Sequence, residues 1–236
     1  MLAYVSAKKR IIQYIKSKGL TAGDRLPTEV ELSEQLDISR LTLREALNAL
    51  KNDGLIHAVQ GRGTFVACDY TYIADSLNIN SGVTEMIEAA GYRPGVASFK
   101  KELIKADALV AERLRVAEGA DVLMCARIRL ADDEPVVYTR DYLSPRLTTP
   151  FLGVTNENIS LYSFIENDCS IPLGVCLAEL VPLVADGEVS KLLSIPEGSP
   201  ILQIQASVND AFGEPLIYAS ELFRPDKFKF TISRGR

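Results

Sequence analysis

Two stretches in the second half of this 236-residue chain repeat one another, and the repeat restricts the possible folds more than any single motif does. Ala106-Asp107 recurs as Ala185-Asp186, Val110 as Val189, Leu114 as Leu193, Glu118-Gly119 as Glu197-Gly198 and Leu123 as Leu202, always 79 positions later. Past a turn the offset becomes 80, pairing Glu134-Pro135 with Glu214-Pro215, Tyr138 with Tyr218 and Pro145 with Pro225. The extra residue falls in the turn holding Phe212 and Gly213, where insertions are tolerated. Each copy reads as a helix (Val83 to Ala90; Leu161 to Asn167), a strand (Val96 to Lys105; Cys176 to Val184), a second helix (Asp107 to Arg115; Asp186 to Ser194) and a hairpin (Val122 to Leu143; Ile201 to Phe223). That order predicts a duplicated α+β domain with a mainly antiparallel sheet covered by helices, a pseudo-twofold between its halves, and a ligand site between them.

The copies differ in one place that matters. Alternation along Val122 to Leu130 puts Leu123, Cys125, Arg127 and Arg129 on one face, and the equivalent positions of the other copy are Leu202, Ile204, Ala206 and Val208. Arg127 and Arg129 therefore occupy a face that their own duplicate uses as core. Burying two guanidinium groups without partners is costly, so they are expected to meet either carboxylates or an anionic ligand.

Composition excludes several classes. Hydrophobic residues at 47% and charged residues at 24% fit an ordinary globular chain. Its apolar runs are all shorter than the roughly 20 residues a membrane helix needs, and Lys8, Lys9 and Arg10 interrupt Met1 to Lys18, unlike a signal peptide. A soluble, cytoplasmic protein without a membrane partner is the expectation. Cys68, Cys125, Cys169 and Cys176 lack metal-type spacing and read as reduced thiols. With His57 as the one histidine, zinc sites and Ser-His-Asp triads have little to build on, and no cofactor is expected.

Charge divides the chain. Residues 1 to 67 hold ten Lys and Arg against seven Asp and Glu, whereas the remainder is acidic, leaving a net charge of −5. A basic head beside an acidic body suggests that only the head approaches phosphates. Within it, Tyr4, Ala7, Ile11 and Ile15 form a helical stripe that Gly19 stops; Thr28 and Glu31 form a capping box for a short second helix; Ser39 caps a third, with Leu43, Ala46, Leu47 and Leu50 on its inner face. Only Asp37 and Ile38 separate the last two, as in a helix-turn-helix. Arg40, Leu41, Arg44 and Asn48 lie on the outer arc near the start of the third helix, where a recognition helix meets base edges. Leu55 to Gln60 and Thr64 to Ala67 then read as a hairpin with a cationic tip, Gly61-Arg62-Gly63, suited to a narrow groove. His57 reads as a solvated strand residue.

Residues 24 to 66 (Asp24-Arg25-Leu26-Pro27-Thr28-Glu29, Ser39-Arg40, Thr42, Arg44, Ala46-Leu47, Gly54-Leu55-Ile56 and Gly61-Arg62-Gly63-Thr64-Phe65-Val66) resemble the winged helix-turn-helix of the GntR family of bacterial transcription regulators. By that resemblance Arg40, Thr42, Arg44 and the wing around Gly61 and Arg62 contact DNA, and Arg25 helps hold phosphate. From about Ser81 onward, Gly91-Tyr92-Arg93-Pro94, Arg127 and Arg129 with Glu134-Pro135, Ser160-Leu161-Tyr162 and the closing Glu221 to Phe230 resemble the UTRA effector-binding domain of the HutC-like branch, similar in fold to chorismate lyase. The resemblance implies that Ser81, Thr84, Arg127, Arg129 and Ser160 grip an anionic group while Tyr162 and Glu221 contact the rest of the ligand. The sequence departs from amino-sugar-phosphate sensors at Thr139, where they carry glutamate, and at Phe228, where they carry tyrosine.

The expected organisation is a winged helix-turn-helix over 1–67, a linker over 68–80 and an effector-binding and dimerisation domain over 81–236. The expected function is a homodimeric, operator-binding transcription regulator of the repressor type, controlled by a small anionic metabolite. The alternative is a lyase-like enzyme module tethered to a DNA-binding head.

Overall fold

Apolar residues spaced three and four apart build the helices of the head. α1 (Ala3–Ser17) buries Ala7, Ile11, Ile12 and Ile15, and α3 (Arg40–Asn52) buries Leu43, Ala46, Leu47 and Leu50 in the same core as Leu32 of α2 (Glu29–Gln35). The expected capping box starts α2: Glu31 N–H donates to Thr28 Oγ1 at 3.3 Å while Thr28 N–H donates to Glu31 Oε2 at 2.7 Å. Asp37, at φ +46°, turns the chain into α3, where Thr42 N–H donates to the Ser39 hydroxyl. The antiparallel wing, β1 (Ile56–Val59) and β2 (Gly63–Val66), seals this core with Ile56 and Val66. The computed structural model describes residues 3–52, 54–67, 73–76 and 82–231.

The chain divides into two compact units, Met1–Ser81 with Glu85–Tyr92 and Asp226–Arg236, and Gly82–Thr84 with Arg93–Pro225. In the first, the stretch expected as linker holds a short strand, β3 (Ile73–Ser76). Its parallel partner is β10 (Phe228–Thr231) from the far end of the chain. Also in this unit, Lys16 Nζ donates to the Ala90 carbonyl at 2.5 Å and sits 3.8 Å from the centre of the Tyr92 ring, tying α1 to the residues after α4 (Val83–Ala89).

The second unit bears out the duplication. β4 (Pro94–Lys105), α5 (Ala108–Leu114), β5 (Asp121–Ala131) and β6 (Glu134–Leu143) are matched by β7 (Leu173–Val184), α8 (Gly187–Leu193), β8 (Pro200–Asp210) and β9 (Pro215–Phe223). These strands form one antiparallel sheet in the order β4-β5-β6-β9-β8-β7, so the pseudo-twofold passes between β6 and β9. Both copies use the same caps: Asp107 and Asp186 accept from Val110 N–H and Val189 N–H at 2.8 Å, and Arg115 and Ser194 end their helices in the left-handed conformation.

Between the copies stands α6 (Pro145–Leu152), a helix the sequence reading did not expect. It is followed by α7 (Leu161–Ser163), which widens into one π turn (Phe164–Asp168) where a regular helix was expected. These elements pack Leu147, Phe151, Leu161, Phe164 and Ile165 on the sheet face that carries Leu123, Cys125, Ala206 and Val208. The opposite face packs Val110, Ala111 and Leu114 of α5 against Val122 and Tyr218.

Candidate functional site

Two groups of residues stand out, one in each unit. On α3 the inward stripe leaves Arg40, Leu41 and Arg44 facing outward, and Leu41 is 72% exposed, too much apolar area to be explained by the core. Arg44 donates through both Nε (3.1 Å) and Nη2 (2.9 Å) to one oxygen of Glu29, in the first turn of α2. Thr42 is half-buried with its hydroxyl 2.8 Å from that of Ser39, so it supports the helix start as well as lining the outer face. In the wing, Arg62 N–H donates to the Val59 carbonyl and closes a turn in which Gly61 has φ +73° and Gly63 φ +117°. Arg25 bridges to Phe65 and lies directly over Gly63. Arg25, Arg40, Leu41, Arg44 and Arg62 thus all belong to the head, on α3, the wing, or the segment bridged to it. His57 stacks on Phe65 with its ring 5.7 Å away and is exposed on β1, as a solvated strand residue should be.

The second group sits on the sheet face expected from alternation. Arg127 is 5% and Arg129 1% exposed, so these are core positions filled with guanidinium groups. Arg127 Nη2 donates to Asp141 Oδ2 at 3.0 Å and its Nη1 to the Ile159 carbonyl at 3.1 Å, while Arg127 Nε is buried with no hydrogen-bond partner. Burial works against the charge of Arg127, but Asp141 opposes this strongly enough that its pKa ends above the ordinary value. Arg129 Nη2 donates to the hydroxyl of Thr84, in the first turn of α4, at 2.5 Å.

The register places Arg127, Thr139, Glu221 and Ile204 in one row across β5, β6, β9 and β8. Thr139 is buried, and its hydroxyl donates to Asp141 Oδ2 at 3.3 Å. Beyond this row, the Ser160 hydroxyl caps α7 by accepting from Ser163 N–H, Tyr162 bonds the Cys176 thiol, and Glu221 is close enough to act on both Arg127 and Cys176. Thr84, Arg127, Arg129, Ser160, Tyr162 and Glu221 are therefore all in the second unit; Ser81 lies outside the described residues.

Sequence reasoning missed Asp141 and Glu29, the carboxylates that hold Arg127 and Arg44. Asp141 was within reach of the repeat, because 80 positions later stands Glu221, so the two copies present carboxylates at equivalent points. Among the described residues no group of three His, Cys, Asp or Glu side chains is placed to hold a metal, and no helix is long and apolar enough to cross a membrane. Cys125, Cys169 and Cys176 are unbridged, and burial pushes the Cys125 thiol up to about 12 and the Cys176 thiol to about 11.

Comparison with known proteins finds two family matches in the chain. Residues 3–66 match the family described as bacterial regulatory proteins, gntR family, and residues 89–229 match the UTRA domain. The chain is similar to the HTH-type transcriptional repressor NagR of Bacillus subtilis, with 30% identity over 230 residues covering 96% of this chain and 92% of that one. It is also similar to the mannosyl-D-glycerate transport/metabolism system repressor MngR of Escherichia coli, with 27% identity over 99% of this chain and 96% of MngR. Among solved structures, YydK of Bacillus subtilis aligns over the whole of both chains with a TM-score of 0.63 at 23% identity, a likeness of fold.

Proposed function

Because the chain belongs to the GntR family of bacterial regulators, in the HutC-like branch that joins a winged helix-turn-helix to a UTRA domain, and is a transcription regulator and not an enzyme, we propose how its two units share the work. Residues 1–67 bind a near-palindromic operator, and residues 81–236 bind a small anionic metabolite, a sugar phosphate or carboxylate, and hold two chains together as a homodimer. Arg40, Leu41, Thr42 and Arg44 read the major groove, Gly61, Arg62 and Gly63 enter the minor groove, and Arg25 neutralises a phosphate. Ser81, Thr84, Arg127, Arg129 and Ser160 hold the anionic group of the effector, and Tyr162 and Glu221 its remainder.

The observation that carries the effector reading is the burial of Arg127 and Arg129 side by side on a face that the duplicate copy fills with Ala206 and Val208. Asp141 meets Arg127 at Nη2 and leaves its buried Nε without a partner, which supports an anion that completes the site. The names of NagR and MngR support repression, and the second ties that relative to a sugar carboxylate.

The test is a gel shift on an operator selected from a random DNA pool, titrated with hexose phosphates, sugar carboxylates and neutral sugars. One anionic member should change operator affinity about 5- to 150-fold, the usual range of allosteric coupling, and raise the melting temperature. A response to neutral sugars alone would overturn the anionic assignment.

A further inference from the structure

The sheet face that buries Arg127 and Arg129 also carries carboxylates, and these limit the charge the face can take up. Arg127 Nη2 donates to Asp141 Oδ2 at 3.0 Å with both side chains 6% exposed, so this guanidinium has a counter-charge built into the fold. The Thr139 hydroxyl donates to the same oxygen and fixes it in place. Glu221, which faces Thr139 in the β6–β9 register, is near enough to act on Arg127 as well. Two guanidinium groups therefore share the face with two carboxylates, and their formal charges cancel.

The Arg127 nitrogen that is buried without a hydrogen-bond partner is Nε, which has a single N–H to offer. A ligand oxygen that accepts from it lies on the same guanidinium as Asp141. It gains a charge-assisted bond there, and it is repelled by Asp141 and Glu221 at close range in a dry environment. A carboxylate brings one negative charge into that field. A phosphate monoester brings about 1.5 to 2 at neutral pH, so the same two carboxylates oppose it nearly twice over, and it gives up more hydration on entry.

We propose that Asp141 sets the charge class of the effector, making the site selective for a monocarboxylate over a phosphate monoester of the same carbon skeleton. The proposal rests on the anionic-effector reading above and narrows it. A purely structural Asp141 would only hold Arg127 in place, and its loss would weaken every anion alike. A charge-setting Asp141 decides the order in which anions bind.

The experiment is isothermal titration calorimetry on the full chain, wild type and Asp141→Asn, with three matched pairs: acetate and methyl phosphate, glycerate and glycerol 3-phosphate, glucuronate and glucose 6-phosphate. In each pair that binds, the wild type should hold the carboxylate at least about 10-fold more tightly, and Asp141→Asn should move the ratio toward the phosphate by at least about 10-fold. Asparagine keeps the shape and an acceptor oxygen for Arg127, so a change in the ratio reports the lost charge. A wild type that prefers the phosphate, or a ratio that Asp141→Asn leaves unmoved, overturns the proposal and leaves the anionic-effector reading standing; no binding in any pair overturns both. If circular dichroism shows that Asp141→Asn has not folded, Glu221→Gln takes its place: the ratio should move in the same direction, and an unmoved ratio overturns the proposal.

Discussion

Arg25 Nε lies 2.8 Å from where a β-carbon on Gly63 would stand, so the guanidinium can cross the wing only because that residue has no side chain. Gly63 also has φ +117°, a conformation that strains any other residue by about 1–3 kcal/mol. Gly63→Ala should therefore lower the melting temperature and displace Arg25 from the wing. Gel shifts should show weaker operator binding, as in Arg25→Ala; unchanged affinity in both variants would remove Arg25 and the wing from the interface.

Arg44 and Glu29 form an exposed ion pair, worth little for folding. Arg40→Ala and Arg44→Ala should each weaken operator binding by about 1–3 kcal/mol while leaving the urea midpoint nearly unchanged. Glu29→Gln keeps the size of the side chain and loosens Arg44, so it should relax discrimination between operator variants more than it reduces affinity for the best one. Competition gel shifts on single-base variants read this directly.

A melting experiment tests the two buried arginines. Arg127→Met strands Asp141, a carboxylate with only 6% exposure, and should cost the ligand-free protein about 3–5 kcal/mol. Arg129→Met removes the bond to the Thr84 hydroxyl and should also lower the melting temperature of the ligand-free protein. Both should still bind operator and lose the effector-induced thermal shift. A full thermal shift in Arg129→Met would show that this arginine serves the fold alone.

Asp210 ties the second hairpin together. It accepts from Arg146 Nη1 at 2.8 Å and from the N–H groups of Phe212 and Glu214 at 2.9 Å. Arg146 first, and then the Glu214 amide, hold its carboxyl below the usual value. A depressed carboxylate stabilises the fold above its unfolded pKa, and that contribution is lost as pH falls through the lowered folded value. The wild type should thus lose stability below about pH 4 more steeply than Asp210→Asn. Urea midpoints measured from pH 6 to pH 3 check it; parallel curves would count against the Arg146 contact.

What the sequence made legible was whatever repeats locally. Asp107 and Asp186 announce helix starts, Gly119 and Gly198 follow at fixed distances, and alternation put Arg127 and Arg129 on the correct face. Ser144 and Pro145 are a helix-start signal, but Pro150 five residues on interrupts the helical pattern, and that kept α6 hidden. β3 was illegible for a different reason: four residues pair with β10 more than 150 positions away, and no local pattern encodes such a partner. Gly174 lies just before the strand the sequence predicts, yet a β-carbon there would meet the Asp210 carbonyl oxygen at 2.2 Å, a crowding visible only once two strands are side by side.

The sheet around the β6–β9 seam has a twofold backbone and a one-way chemistry. Arg127 and Arg129 on one side answer to Ala206 and Val208 on the other, while Asp141 and Glu221 stand on either side of the axis. If the effector proposed above lies across that seam, one of its ends is turned toward Arg127 and Arg129 and the other toward Ala206 and Val208. Reversing it end for end would press its charge against alanine and valine. On that proposal the diverged halves fix which way round a ligand lies, and a symmetrical dianion with two equal ends should gain less there than a molecule with one charged end and one plain one.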